Sequence, residues 1–327
     1  MKKILSLVSI LFLFYACKKE NEISQEKITA SAPTANWDTI YGGADKAYDT
    51  ILLAMRSKVA PEFKELEFTD PETGLTMAYN LYIPKNYDKS KSYPLVLFIA
   101  DASTVGKSVK APLMQGYGGI IWATEESQKE HPSFVLVPSF KGPEWAVNDE
   151  WHTSPEVGVA YRLLQNIISN YSIDHNRIYT TGQSMGGMIS FYFNATHPNL
   201  FAASIFVSSQ WDINVLQPLV HDKFFYIVAG GDEKASSGMK QVGNLLTKNK
   251  VKYSFAEFSA QLPLDEQDAI AEELILKGDP VNFIKFKKGT VLPEDANVNP
   301  GSEHMYSFDY AYRIKTVRDW LFRQKKQ

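Results

Sequence analysis

The stretch Arg177-Ile178-Tyr179-Thr180-Thr181-Gly182-Gln183-Ser184-Met185-Gly186 decides the fold of this chain. Its first half is rich in β-branched and aromatic residues, which is typical of a buried strand. The apolar and small residues at 187–196 are numerous enough for a helix. Gly-x-Ser-x-Gly between a strand and a helix predicts a nucleophile elbow, a strained turn that presents a serine hydroxyl at the top of a sheet. We expect glycine at 182 and 186 because a Cβ at either position would collide with the neighbouring strand or helix.

Strand-length apolar runs alternate with segments of helical periodicity on both sides of this motif. After two early strands at 65–69 and 77–84, the predicted strands lie at 95–100, 134–138, 203–207, 224–229, 252–258 and 283–286. The predicted helices lie at 157–169, 187–196, 239–248, 266–276 and 308–323, with a weaker one within 41–58. This alternation predicts an α/β fold with a mostly parallel central sheet, helices on both faces and an antiparallel start.

A serine hydroxyl needs a general base within hydrogen-bond reach, and histidine is the usual one. The chain has six histidines. Three of them precede Ser184 in the chain, whereas in a triad built on a nucleophile elbow the acid and then the histidine follow the serine. His197 ends the helix after the serine and His221 lies just before a strand, so both are at the wrong end. His304 follows the last predicted strand, in a predicted loop ahead of the final helix, and is the candidate base.

The candidate acid is Asp232, because it follows the predicted strand at 224–229 and lies between Ser184 and His304 in the chain. Asp212 also follows a strand end, so it stays open as an alternative. Weaker rivals are Glu233, Asp265 and Asp268, of which the last two fall at a predicted helix start.

Two backbone N–H groups are needed for an oxyanion hole. One is expected from Met185, the residue after the nucleophile, and the other from Ala102 or Ser103 in the loop after the strand at 95–100. Gln183 and Trp211 are weaker candidates for substrate contact. The segments 103–130, 139–153 and 259–269 are expected to shape specificity.

The N-terminus has the pattern of an export signal. A short basic start and an apolar run at 1–16, too short to span a membrane comfortably, end at Cys17, the single cysteine of the chain. The segment resembles a bacterial lipoprotein signal, which implies lipidation of Cys17 and anchoring to a membrane of the cell envelope. The polar residues at 17–36 predict a flexible tether, and 37–327 is expected to form one catalytic domain.

The composition excludes some classes of partner. The chain has 327 residues, of which 44% are hydrophobic and 22% charged, so a sizeable core is expected. A formal net charge of −3 offers no electrostatic case for binding nucleic acid.

Together these segments resemble the α/β-hydrolase superfamily, in its polyhydroxybutyrate-depolymerase-like and feruloyl-esterase-like branch. The resemblance is carried by Ile173-Asp174-His175-Asn176-Arg177-Ile178-Tyr179 running into the Gly-x-Ser-x-Gly motif, by Pro198-Asn199-Leu200-Phe201-Ala202-Ala203 and by Val317-Arg318-Asp319-Trp320-Leu321-Phe322. It implies that Ser184, Asp232 and His304 hydrolyse carboxylic esters, small or linked to polysaccharide, with no metal or organic cofactor. A serine peptidase on the same fold, or a non-catalytic surface binding protein, is the alternative.

Overall fold

A nine-stranded β-sheet lies at the centre of the computed structural model, which describes residues 37–143, 145–293 and 302–326. The strands are β1 (Lys64–Thr69), β2 (Thr76–Tyr82), β3 (Tyr93–Ile99), β4 (Phe134–Ser139), β5 (Ile173–Gln183), β6 (Ala203–Val207), β7 (Phe224–Ala229), β8 (Tyr253–Phe258) and β9 (Val281–Phe286). The predicted signal at 1–16, Cys17 and the tether to residue 36 lie outside the described residues and stay predictions.

Helices connect most of these strands. They are α1 (Thr50–Val59), α2 (Ala111–Met114), α3 (Glu125–Glu130), α4 (Pro155–Asn170), α5 (Met185–Thr196), α6 (Glu233–Lys248), α7 (Leu264–Leu276), α8 (Ser302–Arg313) and α9 (Lys315–Arg323). None of the helices in the described ranges combines the length and the apolar character that crossing a bilayer requires.

The strand order across the sheet is β1-β2-β4-β3-β5-β6-β7-β9-β8. β1 pairs with β2, and β2 with β4, in antiparallel register, whereas the remaining neighbours are parallel. Parallel strands place their carboxyl ends at one edge, so the residues that follow β3, β5, β7 and β9 meet there.

Alternate residues of each central strand point into two separate apolar cores. In β3, Val96 and Phe98 join the core under α1, α7, α8 and α9, whereas Leu95 and Leu97 join the core under α4, α5 and α6. Both sets are buried, which explains why β3 reads as a continuous apolar run. The predicted mostly parallel sheet, with helices on both faces and an antiparallel start, is confirmed.

Two predicted helix boundaries are wrong. The helix predicted at 308–323 is two helices, because buried Ile314 adopts an extended conformation that turns the chain between α8 and α9. α6 begins at Glu233, six residues before the predicted start at Met239. The carboxylate of Asp232 caps α6 by accepting the Ala235 N–H, which lets the helix start directly after the strand loop.

Asp222, just before β7, is a half-buried residue whose side-chain Oδ2 is fully buried, and it gives a testable pH dependence. Its Oδ2 has no hydrogen-bond partner among the described residues, and burial raises the pKa of this carboxyl from 3.8 to about 7. Between pH 3.8 and about pH 7 the folded state therefore binds more protons than the unfolded state. The contribution of Asp222 to the free energy of unfolding consequently falls as pH rises through this range.

We therefore expect the neutral variant Asp222→Asn to raise the free energy of unfolding at pH 8 by about 1–3 kcal/mol, because it removes a poorly solvated charge. At pH 4 the carboxyl is already protonated in the folded state, and little change is expected. Urea unfolding at both pH values measures this; an equal change at pH 4 and pH 8 would contradict it.

Candidate active site

Ser184 occupies a strained turn between β5 and α5. Its backbone φ of 50° and ψ of −120° lie in a region that residues other than glycine rarely adopt. Such strain costs roughly 1–3 kcal/mol and persists only where the surroundings hold it. The Ser184 N–H donates to the Val207 carbonyl of β6 at 3.0 Å, and the Ser184 carbonyl accepts from the Met188 N–H of α5. The sheet and the helix together hold the turn.

The two glycines of the motif allow close backbone approach. A Cβ on Gly186 would lie 1.9 Å from the Ile99 carbonyl oxygen at the end of β3, and a Cβ on Gly182 would lie 2.3 Å from the backbone of Gly186. Only glycine fits at either position, as the motif predicted. The start of α5 is therefore pressed against the strand end that leads into the predicted oxyanion loop.

Ser184, His304 and Asp232 form a continuous hydrogen-bonded chain. The His304 Nε2 is 2.8 Å from the Ser184 Oγ, and the His304 Nδ1 is 2.6 Å from the Asp232 Oδ2. An ionised carboxylate can only accept, so Nδ1 carries the hydrogen and Nε2 is left to accept from the serine hydroxyl. Asp232 follows Ser184 by 48 positions and His304 follows Asp232 by 72, so the fold brings together three distant segments.

Asp232 is held in a fixed orientation by the start of α6. Its Oδ1 accepts the Ala235 N–H at 3.1 Å, which leaves Oδ2 for His304, and its side chain is only 6% exposed. The alternative acid, Asp212, uses its Oδ1 to accept from the backbone and side-chain N–H groups of Asn214. The geometry therefore favours Asp232 over Asp212.

His304 lies in the first turn of α8, so the prediction that it sits in a loop is wrong. The helix begins at Ser302, and an acidic residue in its first turn, Glu303, favours that start. The Ser307 Oγ donates to the His304 carbonyl at 2.8 Å, and the Phe308 ring packs edge-on against the imidazole. The imidazole is therefore carried by a helix that is packed on the sheet.

Two residues that line the cavity above Ser184 have backbone N–H groups available as donors. Met185 is the first residue of α5, and Ala102 is the first residue of a short 3-10 turn after β3. Both residues line the cavity, and neither N–H has an acceptor among the described residues. Ser103, the other predicted donor, does not fit, because its N–H donates to the Asp101 Oδ1 at 2.8 Å.

Asp101 organises a buried polar cluster under this loop. Its carboxylate accepts from the side-chain amides of Gln183 and Gln115 and from both the N–H and the hydroxyl of Ser103. Gln183 is 2% exposed, also donates to the Gln115 Oε1 at 2.9 Å and does not line the cavity, so the structure does not support its predicted contact with substrate. The cluster joins the elbow to the turn that carries Ala102. In the sequence, only the position of Asp101 just after a strand indicated that it lies near the site.

The cavity above Ser184 has a volume of about 740 Å³. Trp211 is buried against Trp151 and Tyr192 and is not among the lining residues, so its predicted substrate contact is not supported. Trp145 lines the cavity instead and is 60% exposed. Of the three segments predicted to shape specificity, only 139–153 supplies several lining residues, namely Trp145, Val147, Asn148 and Asp149.

One group of side chains in the described residues is spaced as metal ligands would be: Glu130, His131 and Asp319. The Lys315 ammonium lies 2.6 Å from Glu130 and 2.7 Å from Asp319, so a cation already pairs with both carboxylates. The group is also separate from the residues that line the cavity.

Comparison with known proteins gives distant likenesses. No family model matches the chain. Acetylxylan esterase A of Aspergillus ficuum and probable acetylxylan esterase A of Aspergillus niger are each 27% identical over 146 residues, which is 42% of this chain and 43% of each relative. The chain thus spans less than half the length of the curated relatives it matches.

Solved structures are similar over more of the chain. A thermostable esterase superposes with a TM-score of 0.62 at 23% identity, covering 82% of this chain and 64% of that one. A variant feruloyl esterase module from Clostridium thermocellum, complexed with sinapinate, superposes with a TM-score of 0.54 at 14% identity, covering 89% and 96%. At these identities the likeness concerns the fold, and it shows that the chain has the α/β-hydrolase fold.

The close approach at Gly186 gives a prediction about stability. In Gly186→Ala the new methyl group would overlap the Ile99 carbonyl, so the turn or β3 must move, at a cost of roughly 1–3 kcal/mol or more. In the control Gly158→Ala, within α4, the nearest atoms are at 3.4 Å on a flexible arginine, and alanine is the better helix former by about 1 kcal/mol. Thermal unfolding should show a lower melting temperature for the first variant alone; equal melting temperatures would refute this account of the turn.

Proposed function

We propose that this protein is a serine carboxylic-ester hydrolase that works through an acyl-enzyme. The observation that carries the proposal is the Ser184–His304–Asp232 chain of hydrogen bonds, at 2.8 Å and 2.6 Å, on a strained turn at the edge of the sheet. This is the arrangement in which a base takes a proton from a weak nucleophile while an acid orients the base.

In the proposed reaction the Ser184 Oγ attacks the ester carbonyl carbon, and the hydroxyl proton passes to the His304 Nε2. The C–O bond to the leaving alcohol then breaks, and His304 returns the proton to that alcohol. Water attacks the acyl-serine in the second half, with the same nitrogen as base, and releases the acid and free Ser184. Asp232, buried and bonded to Nδ1, stabilises the imidazolium that forms in each half.

The negative oxygen of each tetrahedral intermediate needs hydrogen-bond donors. The N–H groups of Met185 and Ala102 fit this role, because both line the cavity beside Ser184 and lack an acceptor among the described residues. Met185 also opens α5, so the positive end of the helix dipole adds to the donor. Preorganised donors of this kind are worth roughly 10²–10³-fold in turnover each.

For the substrate we propose acyl or cinnamoyl esters on polysaccharide, with small esters also accepted. Support comes from the names of the relatives, acetylxylan esterases, and of the feruloyl esterase module with its sinapinate. It comes also from the cavity lining, which includes the exposed ring of Trp145 and the amides of Asn148 and Gln210. A cavity that offers both an aromatic face and amide groups suits a sugar, which has both C–H faces and hydroxyl groups.

The proposal predicts that Ser184→Ala abolishes hydrolysis of p-nitrophenyl acetate, p-nitrophenyl butyrate and methyl ferulate. Loss of the nucleophile in a triad typically lowers kcat by about 10⁶-fold. Ser169→Ala, which removes an exposed hydroxyl bonded within α4, serves as the matched control and should keep full activity. Initial rates with a folded, soluble form measure this. Turnover of peptide amides alone would favour the peptidase alternative, and activity that survives in Ser184→Ala would refute the proposal.

The proposed role of Trp145 predicts a selective loss. In Trp145→Ala we expect kcat/KM on acetylated xylo-oligosaccharides to fall about 10-fold, since one aromatic contact contributes roughly 1–2 kcal/mol, while p-nitrophenyl acetate is hydrolysed as before. Trp37→Ala, which removes another exposed tryptophan outside the cavity lining, is the control. Equal losses on both substrates would show that Trp145 acts on the fold and not on the sugar.

A further inference from the structure

The residue before the histidine, Glu303, forms an unusual pair of contacts. Its side chain is only 7% exposed although it reaches the wall of the cavity. Its Oε2 accepts the Gly231 N–H at 3.0 Å, and its Oε1 accepts the Gly289 N–H at 3.0 Å. Each oxygen of this buried carboxylate thus accepts a hydrogen bond from the backbone of a different turn.

The two turns are those that follow neighbouring strands. Gly231 lies in the turn between β7 and α6, directly before Asp232, and Gly289 lies in the turn after β9. The Gly230 N–H in the first turn also donates to the Phe286 carbonyl at the end of β9. The Glu303 carboxylate therefore ties the first turn of α8, which carries His304, to the backbone beside Asp232.

Gly231 is shaped to receive this carboxylate. A Cβ at this position would lie 2.0 Å from the Glu303 Oε1, so the approach requires glycine. No side-chain cation pairs with Glu303 within the described part of the chain, so backbone donors stabilise the charge. Hydrogen bonds to an ionised group are about twice as strong as neutral ones, which makes the contact a firm anchor.

We propose that Glu303 is a positioning residue that fixes the distance and orientation between His304 and Asp232. This rests on the proposed function, in which His304 must face both Ser184 and Asp232. Glu303 directly precedes the base His304, and its partner Gly231 directly precedes the acid Asp232. Loss of this hydrogen bond would therefore let the backbone at His304 move relative to the backbone at Asp232. Misplacement of a catalytic group by about 1 Å can cost roughly 10²-fold in rate.

Two variants weaken the hydrogen bonds of Glu303 to Gly231 and Gly289 to different extents. Glu303→Gln keeps one acceptor oxygen and removes the charge, whereas Glu303→Ala removes both acceptors. On p-nitrophenyl acetate we expect kcat to fall about 10-fold in the first and about 100-fold in the second, with KM within twofold of wild type. The ratio should be the same for p-nitrophenyl butyrate, because Glu303 orients the base and does not select the acyl group.

Asp70→Asn provides the matched control for a merely structural effect. Asp70 is also a buried carboxylate that accepts from backbone and side-chain donors, but it lies in the turn between β1 and β2. It should lower the melting temperature and leave kcat unchanged. A Glu303→Ala protein that loses stability but keeps kcat would overturn the proposal.

A readout that needs no substrate separates this inference from the proposed function. The proton on the His304 Nδ1, held at 2.6 Å from a carboxylate, should give a far-downfield proton resonance, assigned by its loss in His304→Gln. We expect Glu303→Ala to shift or broaden this resonance and Asp70→Asn to leave it in place. If the wild type turns over no ester, the proposed function fails, and this comparison still decides the role of Glu303. An unchanged resonance in Glu303→Ala would overturn it.

Discussion

The contact between Gly186 and the end of β3 is the constraint on which the site depends. The start of α5 lies so close to the Ile99 carbonyl that no side chain fits between them. This closeness packs the start of α5, directly after the strained Ser184, against the strand end that leads into the loop carrying Ala102. Backbone strain of roughly 1–3 kcal/mol is tolerable here because two apolar cores, one on each face of the sheet, stabilise the frame around it.

Buried carboxylates then connect the segments of the site to one another by hydrogen bonds. Asp101, with Gln115 and Gln183, joins the elbow to the loop after β3. Glu303 joins α8 to the turn that carries Asp232. In both clusters a carboxylate is satisfied by several donors, which makes the geometry specific, because a partly satisfied group in the interior would be costly.

Much of this could be predicted from the sequence because the signals are local. The Gly-x-Ser-x-Gly motif, the apolar strands and the order of serine, acid and histidine are all patterns along the chain. The rest depends on contacts between distant residues. The amide of Gln183 turns inward to Asp101, and the ring of Trp211 turns inward to Trp151, so neither of these two expected substrate contacts lines the cavity. Glu303 gives no local signal, since its partners lie 72 and 14 positions away.

The central claim is that Ser184 becomes acylated during turnover, and rapid-quench mass spectrometry tests it most directly. The protein would be mixed with p-nitrophenyl butyrate, quenched in acid, digested and analysed. The account predicts a butyryl group on the peptide that contains Ser184, formed as quickly as the first nitrophenolate is released and absent in Ser184→Ala. Ester turnover in which that peptide stays unmodified at every time point, or in which another residue carries the acyl group, would contradict the account.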